Sequence, residues 1–383
     1  KYPFGQNPNV PQGKIEPWTK LTAEYNATSN KVLFDHTDTK NPGAKEPKDC
    51  ACWLLATMTF SISGGRGYYP SPSPNAMMCI PSGRNLHETL CYNLLPYPNR
   101  DVMCGDSALW EREPKILPLG IRKRVANGFA DLYTWQPRMI LLQELPNGMV
   151  TESRFIAGQG YENPTNIPDP MHPYKTDKNH GKLPVQFRKD RGTWRDFDSL
   201  LPDNADLAPL TIQNAIRLAN KKIKAMPKSV LVLGLRYEPP NANLEFWRME
   251  RFALPETLIG DRFIRHDIRD ILIEAEKAGK ALWTGEDGIK ACLSSSIGVY
   301  AKALLSRGER DIRLSDIRCF AQSVDAIPRF WLTLESRFHE ILREYTIDHD
   351  PEDIRSQWLM AVRDALGRAW EQHTATASIG NIW

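Results

Sequence analysis

Two aspartates and a histidine lie within four positions in the segment NKVLFDHTDT, residues 30–39. Asp35, His36 and Asp38 carry the oxygen and nitrogen atoms that bind metal ions in hydrolases. The same side chains also suit a loop that makes polar contacts with another molecule. Their spacing leaves both interpretations open, so the surrounding sequence has to distinguish between them.

Two His-Asp doublets offer further metal ligands. His266-Asp267 lies in an amphipathic segment rich in arginine, which favours solvent or phosphate over a cation. His349-Asp350 is better explained as a helix start, with Asp350 as the N-cap and Pro351 at the first helical position. The enzyme alternative, a metal-dependent HD-type phosphohydrolase acting on nucleic acid, uses these candidate residues: His266, Asp267, His36 and Asp38.

The other chemical signatures of an enzyme are missing from the sequence. It contains no G-x-S-x-G, no phosphate-binding GxxxxGK[ST] and no G-x-G-x-x-G motif. Its seven cysteines are an odd number spread through a long chain, which indicates reduced thiols rather than a disulfide framework. Cys50 and Cys52 lack a second close pair, so we expect no metal and no cofactor.

Composition narrows the class of protein. The 383 residues are 41% hydrophobic and 25% charged, as in an ordinary globular protein, with a net charge of +3. That charge is too small to indicate nucleic-acid binding by itself, so any such function depends on local patches. No apolar run approaches the roughly 18 residues of a membrane span, and we expect a cytoplasmic protein. The chain starts at Lys1 without a methionine, which suggests a segment upstream.

A row of positive charge lies in the segment TIQNAIRLANKKIKAMPKSV, residues 211–230. Its apolar residues share one face of a predicted helix that Pro227 ends. The basic residues fall on the opposite face at steps of four, three and four: Arg217, Lys221, Lys224 and Lys228. This row suits a phosphate backbone, although a solvated lysine face is an equally open interpretation.

A hairpin and a glycine loop could cooperate with this charge. The predicted strand SVLVLGLRY, residues 229–237, runs into the turn EPPNAN, and a rigid hairpin beside a basic face could act as a wedge or groove reader. In SISGGRGYYPSPSP, residues 61–74, three glycines surround Arg66. Main chain without side chains can approach a phosphate or a groove, although a flexible loop is the simpler interpretation.

Hydrophobic periodicity predicts an α+β fold in two domains. Residues 1–255 form an irregular mixed α/β domain with short strands such as RMILLQ, residues 138–143. Residues 256–383 form a C-terminal antiparallel four-helix bundle, because four amphipathic segments follow one another. Their stripes are as follows: Ile264, Ile268, Ile271 and Ala275; Leu293, Ile297, Tyr300 and Leu304; Ile327, Trp331, Leu334, Phe338, Ile341 and Tyr345; Ile354, Trp358, Val362, Ala365 and Ala369.

The ordered set of motifs resembles the CasA family, the large subunit of the type I-E CRISPR surveillance complex Cascade. The likeness extends over nearly the whole chain, although the family's N-terminal portion before YPFGQNP has no counterpart. The matching segments are YPFGQNP (2–8), NKVLFDHT (30–37), SGGRG (63–67), RNLHETLCYNLLPYP (84–98), DLYTWQPRMILL (131–142), DPMHPY (169–174), RGTWRDFDSLL (191–201), VLGLRY (232–237), NLEFWRMERF (243–252) and FWLTLESRFHEIL (330–342).

The resemblance implies a loop that contacts RNA and a loop that reads DNA. The loop of residues 30–37 would reach toward the 5′ end of the guide RNA and a neighbouring subunit, with Phe34 as a stacking or wedging residue. Asp35 and His36 would make polar contacts beside it rather than bind metal. The glycine loop would face the protospacer-adjacent motif in the minor groove. The residues implied in these two loops are Asn30, Phe34, Asp35, His36, Gly64, Gly65, Arg66 and Gly67.

Two further family contacts depart from the pattern. The family has a lysine contact that should fall near Gln159 or Gly160; no lysine is present there, and Gln159 is the residue implied at this DNA contact. The family's wedge hairpin corresponds to a turn that two prolines would stiffen, which could pry apart a base step by shape. The residues implied in the hairpin are Pro239, Pro240, Asn241 and Asn243. Some members bind zinc through two cysteine pairs, and only the Cys50 region overlaps one of them.

The leading hypothesis is therefore a non-catalytic subunit of an RNA-guided antiviral complex. It would recognise a short motif in double-stranded target DNA, promote strand opening, and help recruit a helicase-nuclease. Its partners would be CRISPR guide RNA, target DNA, the other Cascade subunits and that effector, with no membrane. The HD-type enzyme is one alternative. A helical scaffold that binds only protein is another.

Overall fold

A computed structural model describes eleven stretches of the chain. They are residues 3–11, 15–27, 32–64, 67–96, 105–113, 123–162, 168–201, 205–219, 226–238, 243–284 and 326–375. The chain divides into two units: residues 1–79, 94–189 and 232–249 form the first, and residues 80–93, 190–231 and 250–383 form the second. The predicted boundary at residue 255 assigned everything before it to one domain, whereas two earlier segments cluster with the helical part.

Ten strands and eight α-helices lie in the described part of the chain. The strands are β1 (Ile15–Pro17), β2 (Met78–Ser82), β3 (Lys123–Arg124), β4 (Arg138–Glu144), β5 (Val150–Ala157), β6 (Gly160–Tyr161), β7 (Tyr174–Asp177), β8 (Gly181–Pro184), β9 (Ser229–Glu238) and β10 (Asn243–Ala253). The helices are α1 (Pro47–Phe60), α2 (Leu86–Asn93), α3 (Phe129–Tyr133), α4 (Leu210–Leu218), α5 (Glu256–Gly260), α6 (Arg262–Thr284), α7 (Ile327–Glu344) and α8 (Pro351–Ala375). Short 3-10 segments include Thr193–Leu200.

The strands form four small sheets. β1, β5 and β4 make an antiparallel sheet in that order, and β10, β9 and β2 make a second sheet of three strands. β3 pairs with β6 in parallel, and β7 pairs with β8 antiparallel. The predicted strands RMILLQ and SVLVLGLRY correspond to β4 and β9 and are confirmed. This mixture of helices and small sheets confirms the α+β prediction.

The first unit has its core between the β1-β5-β4 sheet and α1. Leu54 of α1 packs with Leu21, Ile140 and Phe155, all of which are buried. α1 has Pro47 at its first position, where the missing N–H would have no partner within the helix. The buried face of α1 therefore packs on this sheet through Leu54.

The second unit contains three of the four predicted bundle helices. α6, α7 and α8 pack against one another through the predicted stripes. Phe338 of α7 and Trp358 of α8 are fully buried, and the indole N–H of Trp358 donates to the carbonyl of Ile271 at 2.8 Å. The second predicted helix, with Leu293, Ile297, Tyr300 and Leu304, lies outside the described residues. The four-helix bundle stays a prediction.

In the part of the chain that the structure describes, no helix is long and apolar enough to cross a membrane.

Candidate nucleic-acid interface

Side chains of Asp35 and Asn26 build the loop that carries Phe34. One carboxylate oxygen of Asp35 accepts from the Asn26 N–H at 2.5 Å, and the other accepts from the N–H and hydroxyl of Thr37. The amide of Asn26 donates to the Asp35 carbonyl at 2.7 Å and accepts from the Val32 N–H at 2.7 Å. The hydrogen bond from Asn26 is the largest cause that lowers the pKa of Asp35. Both carboxylate oxygens of Asp35 therefore accept hydrogen bonds from residues of the protein itself.

Phe34 is displayed by this loop. Its side chain is 86% exposed and the neighbouring Leu33 is 80% exposed. Among the described residues, Phe34 is the one non-glycine with a positive φ, at 69°. Left-handed backbone costs an L-residue roughly 1–2 kcal/mol, and such strain is concentrated at functional sites. An exposed aromatic ring in strained backbone fits a contact with another molecule.

The same loop does not gather metal ligands. His36 and Asp38 are exposed, and the Asp38 carboxylate accepts from the Lys40 N–H at 2.9 Å. Within the described residues, Asp35, His36 and Asp38 do not belong to any group of three ligand atoms close enough for one ion. The geometry favours the contact loop over the metal centre. Asn30, predicted to share this site, lies outside the described residues.

The glycine loop follows α1 and is closed by its own backbone. The Gly64 N–H donates to the Tyr68 carbonyl at 3.4 Å, so this amide is engaged within the loop. Gly67 has φ 85°, and a Cβ placed there would meet no atom within 4 Å. Glycine is thus required at this position by backbone conformation rather than by crowding. Gly65 and Arg66, the centre of the predicted contact, lie outside the described residues.

A buried arginine holds both flanks of the glycine loop. The Arg138 guanidinium donates to the carbonyls of Ile62 at 2.6 Å and Tyr69 at 2.5 Å. Burial lowers the pKa of Arg138 to about 10, which still leaves the group charged at neutral pH. Sequence reasoning placed Arg138 at the start of an apolar strand and missed this role. A charge at the first position of a buried strand was the available signal.

The structure brings the start of the glycine loop beside the β9–β10 hairpin, at the end of β9. The hydroxyls of Ser63 and Tyr237 lie 3.4 Å apart. Asn75 bonds both backbone groups of Tyr237, accepting from its N–H at 2.9 Å and donating to its carbonyl at 3.1 Å. Phe60, at the end of α1, packs edge-on against Trp247 of β10, with ring centroids 5.2 Å apart. The two predicted DNA-contacting segments therefore share one scaffold.

The structure does not describe the tip of this hairpin. Pro239, Pro240 and Asn241 lie outside the described residues, and Asn243 begins β10. Below the tip, the guanidinium of Arg236 lies 3.5 Å from the carboxylate of Glu245 across the two strands.

Gln159 is not a surface residue. It is 6% exposed, its N–H donates to the Gln136 carbonyl at 2.7 Å, and its carbonyl accepts from the Trp135 indole at 2.9 Å. The Nε2 of Gln159 has no hydrogen-bond partner among the described residues. A direct contact of this side chain with DNA would require movement of its surroundings.

The basic row of residues 217–228 is only partly described. α4 is described to Leu218, and Lys221 and Lys224 lie in the gap that follows. Arg217 donates to the Asn214 side chain at 2.7 Å, which uses the guanidinium within α4. Lys228 is exposed and its ammonium lies 3.5 Å from the Glu256 carboxylate.

The His-Asp doublet of the enzyme alternative is engaged in other contacts. Guanidinium nitrogens of Arg262 and Arg269 lie 3.3 and 3.0 Å from the two ring nitrogens of His266. Asp267 accepts from the Tyr345 hydroxyl at 2.5 Å, and burial raises the pKa of its carboxyl. Cations around the imidazole oppose metal binding. The geometry therefore does not favour the phosphohydrolase.

Comparisons with known proteins show the family of the chain. The family model for CRISPR-associated protein Cse1 matches residues 1–369. The chain is 27% identical over 388 residues to CRISPR-associated protein CasA/Cse1 of Thermus thermophilus, which covers 96% of this chain and 72% of that protein. These matches extend over almost the whole sequence rather than over one motif.

Solved structures share the fold. A crystal structure of CasA from Thermus thermophilus gives a TM-score of 0.76 at 22% identity, covering 99% of this chain and 76% of that one. A chain of a CRISPR RNA-guided surveillance complex gives a TM-score of 0.66 at 21% identity, covering 98% of this chain and 77% of that one.

Proposed function

Because the chain belongs to the CRISPR-associated Cse1 family, we propose that it is a subunit of an RNA-guided surveillance complex in the cytoplasm. In that complex it recognises a short protospacer-adjacent motif in duplex DNA and starts strand opening. It then leaves sequence recognition to pairing with the guide RNA, as in other RNA-guided effectors. The subunit is not an enzyme, and cutting belongs to a helicase-nuclease that it helps to recruit.

The contact between Ser63 and Tyr237 supports the proposal more than any other observation. The two residues are 174 positions apart, yet their hydroxyls lie 3.4 Å from each other. This contact supports a pairing of the glycine loop with the proposed wedge hairpin, because Ser63 begins the loop and Tyr237 lies near the end of β9. A pre-formed pair of this kind can hold a duplex with one segment while the other enters a base step.

The chemistry of the glycine loop suits the minor groove. A loop with small residues lets main chain come close to the base edges and sugars. The minor groove offers little more than a distinction between A·T and G·C pairs, so we expect tolerance of several related motifs. Basic side chains, Arg66 and the row that ends at Lys228, would neutralise phosphates without reading sequence.

The loop that carries Phe34 has a separate role in the proposal. Its exposed ring would stack on an unpaired base of the guide RNA or insert against a neighbouring subunit. Asp35 holds the loop in shape from within, and His36 remains exposed for a polar contact. The exposure of Phe34 and the internal hydrogen bonds of Asp35 support a binding role for this loop over a metal centre.

Substitution of Gly67 tests whether the glycine loop recognises the motif in DNA. Gly67→Ala strains a φ of 85° in the glycine loop, and Gly148→Ala strains a φ of 81° in the β4–β5 turn, with open space at both positions. The two variants should lose similar stability. In the assembled complex, only Gly67→Ala should reduce the ratio of affinities for duplexes with and without the motif, by about 10-fold, the effect of 1–3 kcal/mol.

The experiment has a clear negative outcome. Equal discrimination by Gly67→Ala and Gly148→Ala complexes would remove the glycine loop from motif recognition. Cleavage of DNA by the purified chain alone would instead restore the enzyme alternative.

A further inference from the structure

A set of three metal-ligating side chains lies in the second unit. Glu250 comes from the end of β10, and Glu335 and His339 come from α7. One carboxylate oxygen from each glutamate and one ring nitrogen of the histidine all lie within 4.8 Å of one another. Residues four apart on a helix project from the same face, which explains how Glu335 and His339 reach one point.

Neighbouring residues hold these ligands in position. The buried hydroxyl of Thr193 donates to a carboxylate oxygen of Glu250 at 2.8 Å. The imidazole of His339 stacks on Phe252, with ring centroids 5.0 Å apart and an angle of 16° between the planes. Outer contacts of this kind orient metal ligands and raise the affinity of a site.

A glycine, Gly192, lies next to both Trp194 and Glu335. A Cβ placed on Gly192 would lie 2.8 Å from the Trp194 indole and 3.7 Å from a carboxylate oxygen of Glu335. The absence of a side chain at Gly192 lets the Trp194 indole pack close to the backbone next to the Glu335 carboxylate. The half-buried state of all three ligands leaves a path for an ion from solvent.

The charges of the group also suit a cation. Two carboxylates this close repel each other unless a positive charge lies between them. Burial, the largest cause, lowers the pKa of His339, and the charge of Arg343 lowers it as well, against the opposing effect of Glu335. A ring nitrogen of an imidazole binds a metal ion through its lone pair.

We propose that Glu250, Glu335 and His339 bind one divalent first-row cation, with Zn²⁺ as the best match, and that water completes its coordination. One nitrogen and two oxygens form a ligand set that Zn²⁺ accepts at about 2.0–2.2 Å. Tetrahedral bonds of this length place the ligand atoms on one ion roughly 3.3–3.6 Å apart, so the three side chains must move toward one another to bind it. The ion would link the end of β10 to α7.

Zinc content of the purified full-length chain tests this site. After equilibrium dialysis with Zn²⁺, the unmodified chain should retain one equivalent more than Glu335→Gln or His339→Ala. Glu340→Gln is the control, because Glu340 is exposed on the same helix and pairs with Arg337 at 2.8 Å. The control should retain the full amount.

A second variant guards against a loss of folding. Thr193→Val keeps the shape of the side chain and removes only the hydroxyl that orients Glu250. It should weaken Zn²⁺ binding by about 10–100-fold, the usual effect of removing an outer hydrogen bond. Circular dichroism of each variant should match that of the unmodified chain.

Co²⁺ distinguishes this site from the cysteines. Co²⁺ bound to two carboxylates and an imidazole should give visible d–d bands without thiolate-to-metal charge transfer. Equal Zn²⁺ content in the unmodified chain and all variants would overturn the proposal. So would a strong thiolate charge-transfer band as the only Co²⁺ signal.

Discussion

The carboxylate of Asp35 accepts a hydrogen bond from the backbone N–H of Asn26 at 2.5 Å, and this contact fixes the loop that exposes Phe34. A pair of acidic residues that resembled a metal centre in sequence thus acts on the protein's own backbone. As a result, the ring of Phe34 is exposed to solvent, and the backbone of Phe34 has a positive φ. The loop therefore has backbone strain at Phe34 and a shape fixed by hydrogen bonds. Substitutions of Phe34 can test the strain and the contact separately.

Phe34→Gly and Phe34→Ala should separate strain from contact. Glycine accepts a φ of 69° and alanine does not, so the glycine variant should be the more stable of the two by about 1 kcal/mol. Both variants lose the ring and should bind the guide-containing assembly about 10-fold more weakly, as expected for one stacked base. Urea denaturation measures the first effect, and titration of the chain into the remaining subunits measures the second.

A structural role of the ring would give a different pattern. In that case, binding to the assembly would follow stability, and the glycine variant would bind better than the alanine variant. Equal and undiminished binding by both would remove Phe34 from the interface.

Charge reversal of the basic row should weaken DNA binding by the assembled complex. The variant carries Lys221→Glu, Lys224→Glu and Lys228→Glu together. The plot of log affinity against log salt has a negative slope. For every phosphate that is no longer neutralised, this slope should become shallower by about 0.9. The control is Lys48→Glu, since Lys48 is likewise exposed and lies 2.5 Å from a carboxylate, that of Glu46.

The result also distinguishes the DNA-binding subunit from a helical scaffold. A scaffold that binds only protein predicts unchanged DNA affinity and an unchanged salt slope in the triple variant. Similar effects in the triple variant and in Lys48→Glu would indicate a general effect of net charge rather than a binding face.

Asp131→Asn should destabilise the first unit. The buried carboxylate lies 2.7 Å from Arg112 and 2.5 Å from Arg124, and it accepts from the Asn127 N–H at 3.0 Å. Removing one partner of a buried ion pair costs about 3–5 kcal/mol. Both guanidiniums are partly exposed, so we expect about 2–3 kcal/mol in urea denaturation. Asp364→Asn, which breaks an exposed pair with Arg368, should cost less than about 1 kcal/mol.

The effect of Asp131→Asn should depend on pH. Burial, the largest single cause, raises the pKa of Asp131, but hydrogen bonds from Arg124, Asn127 and Arg112 together lower it below 3.8. A carboxyl with a lowered pKa stabilises the fold above its unfolded value, and this contribution is lost as pH falls through the folded value. The difference between the two proteins should be full near pH 7 and shrink below about pH 4. A constant difference across this range would contradict the ion-pair explanation.

Phe338→Ala should open a cavity where α7 meets the rest of the second unit. The ring is fully buried, with centroids 5.3 Å from Trp194 and 5.6 Å from Phe197. Loss of a buried phenylalanine costs about 3–5 kcal/mol. Ser336→Ala is the control, because Ser336 is exposed two positions away on the same helix, and its effect should stay within about 0.5 kcal/mol. Similar unfolding midpoints for the two variants would show that α7 does not pack as described.

Local pattern was sufficient to predict several elements. The apolar run RMILLQ predicted β4 (Arg138–Glu144), and the stripe through Leu334 and Phe338 predicted α7 and its buried face. Period and branching are properties of neighbouring residues, so they can be read without knowledge of the fold. The ordered motifs, taken together, also indicated the family.

The tertiary structure decided which residues far apart in the sequence come into contact. Nothing local to Ser63 indicates Tyr237, and nothing near Glu250 indicates His339, because periodicity shows which face is buried but not what covers it. The same limit explains Gln159, expected at a DNA contact and found buried, and Asp35, which bonds its own loop. The sequence by itself determined several helices, the strands β4 and β9, and the family of this chain. Long-range packing decided which side chains meet, since that depends on how distant segments share one core.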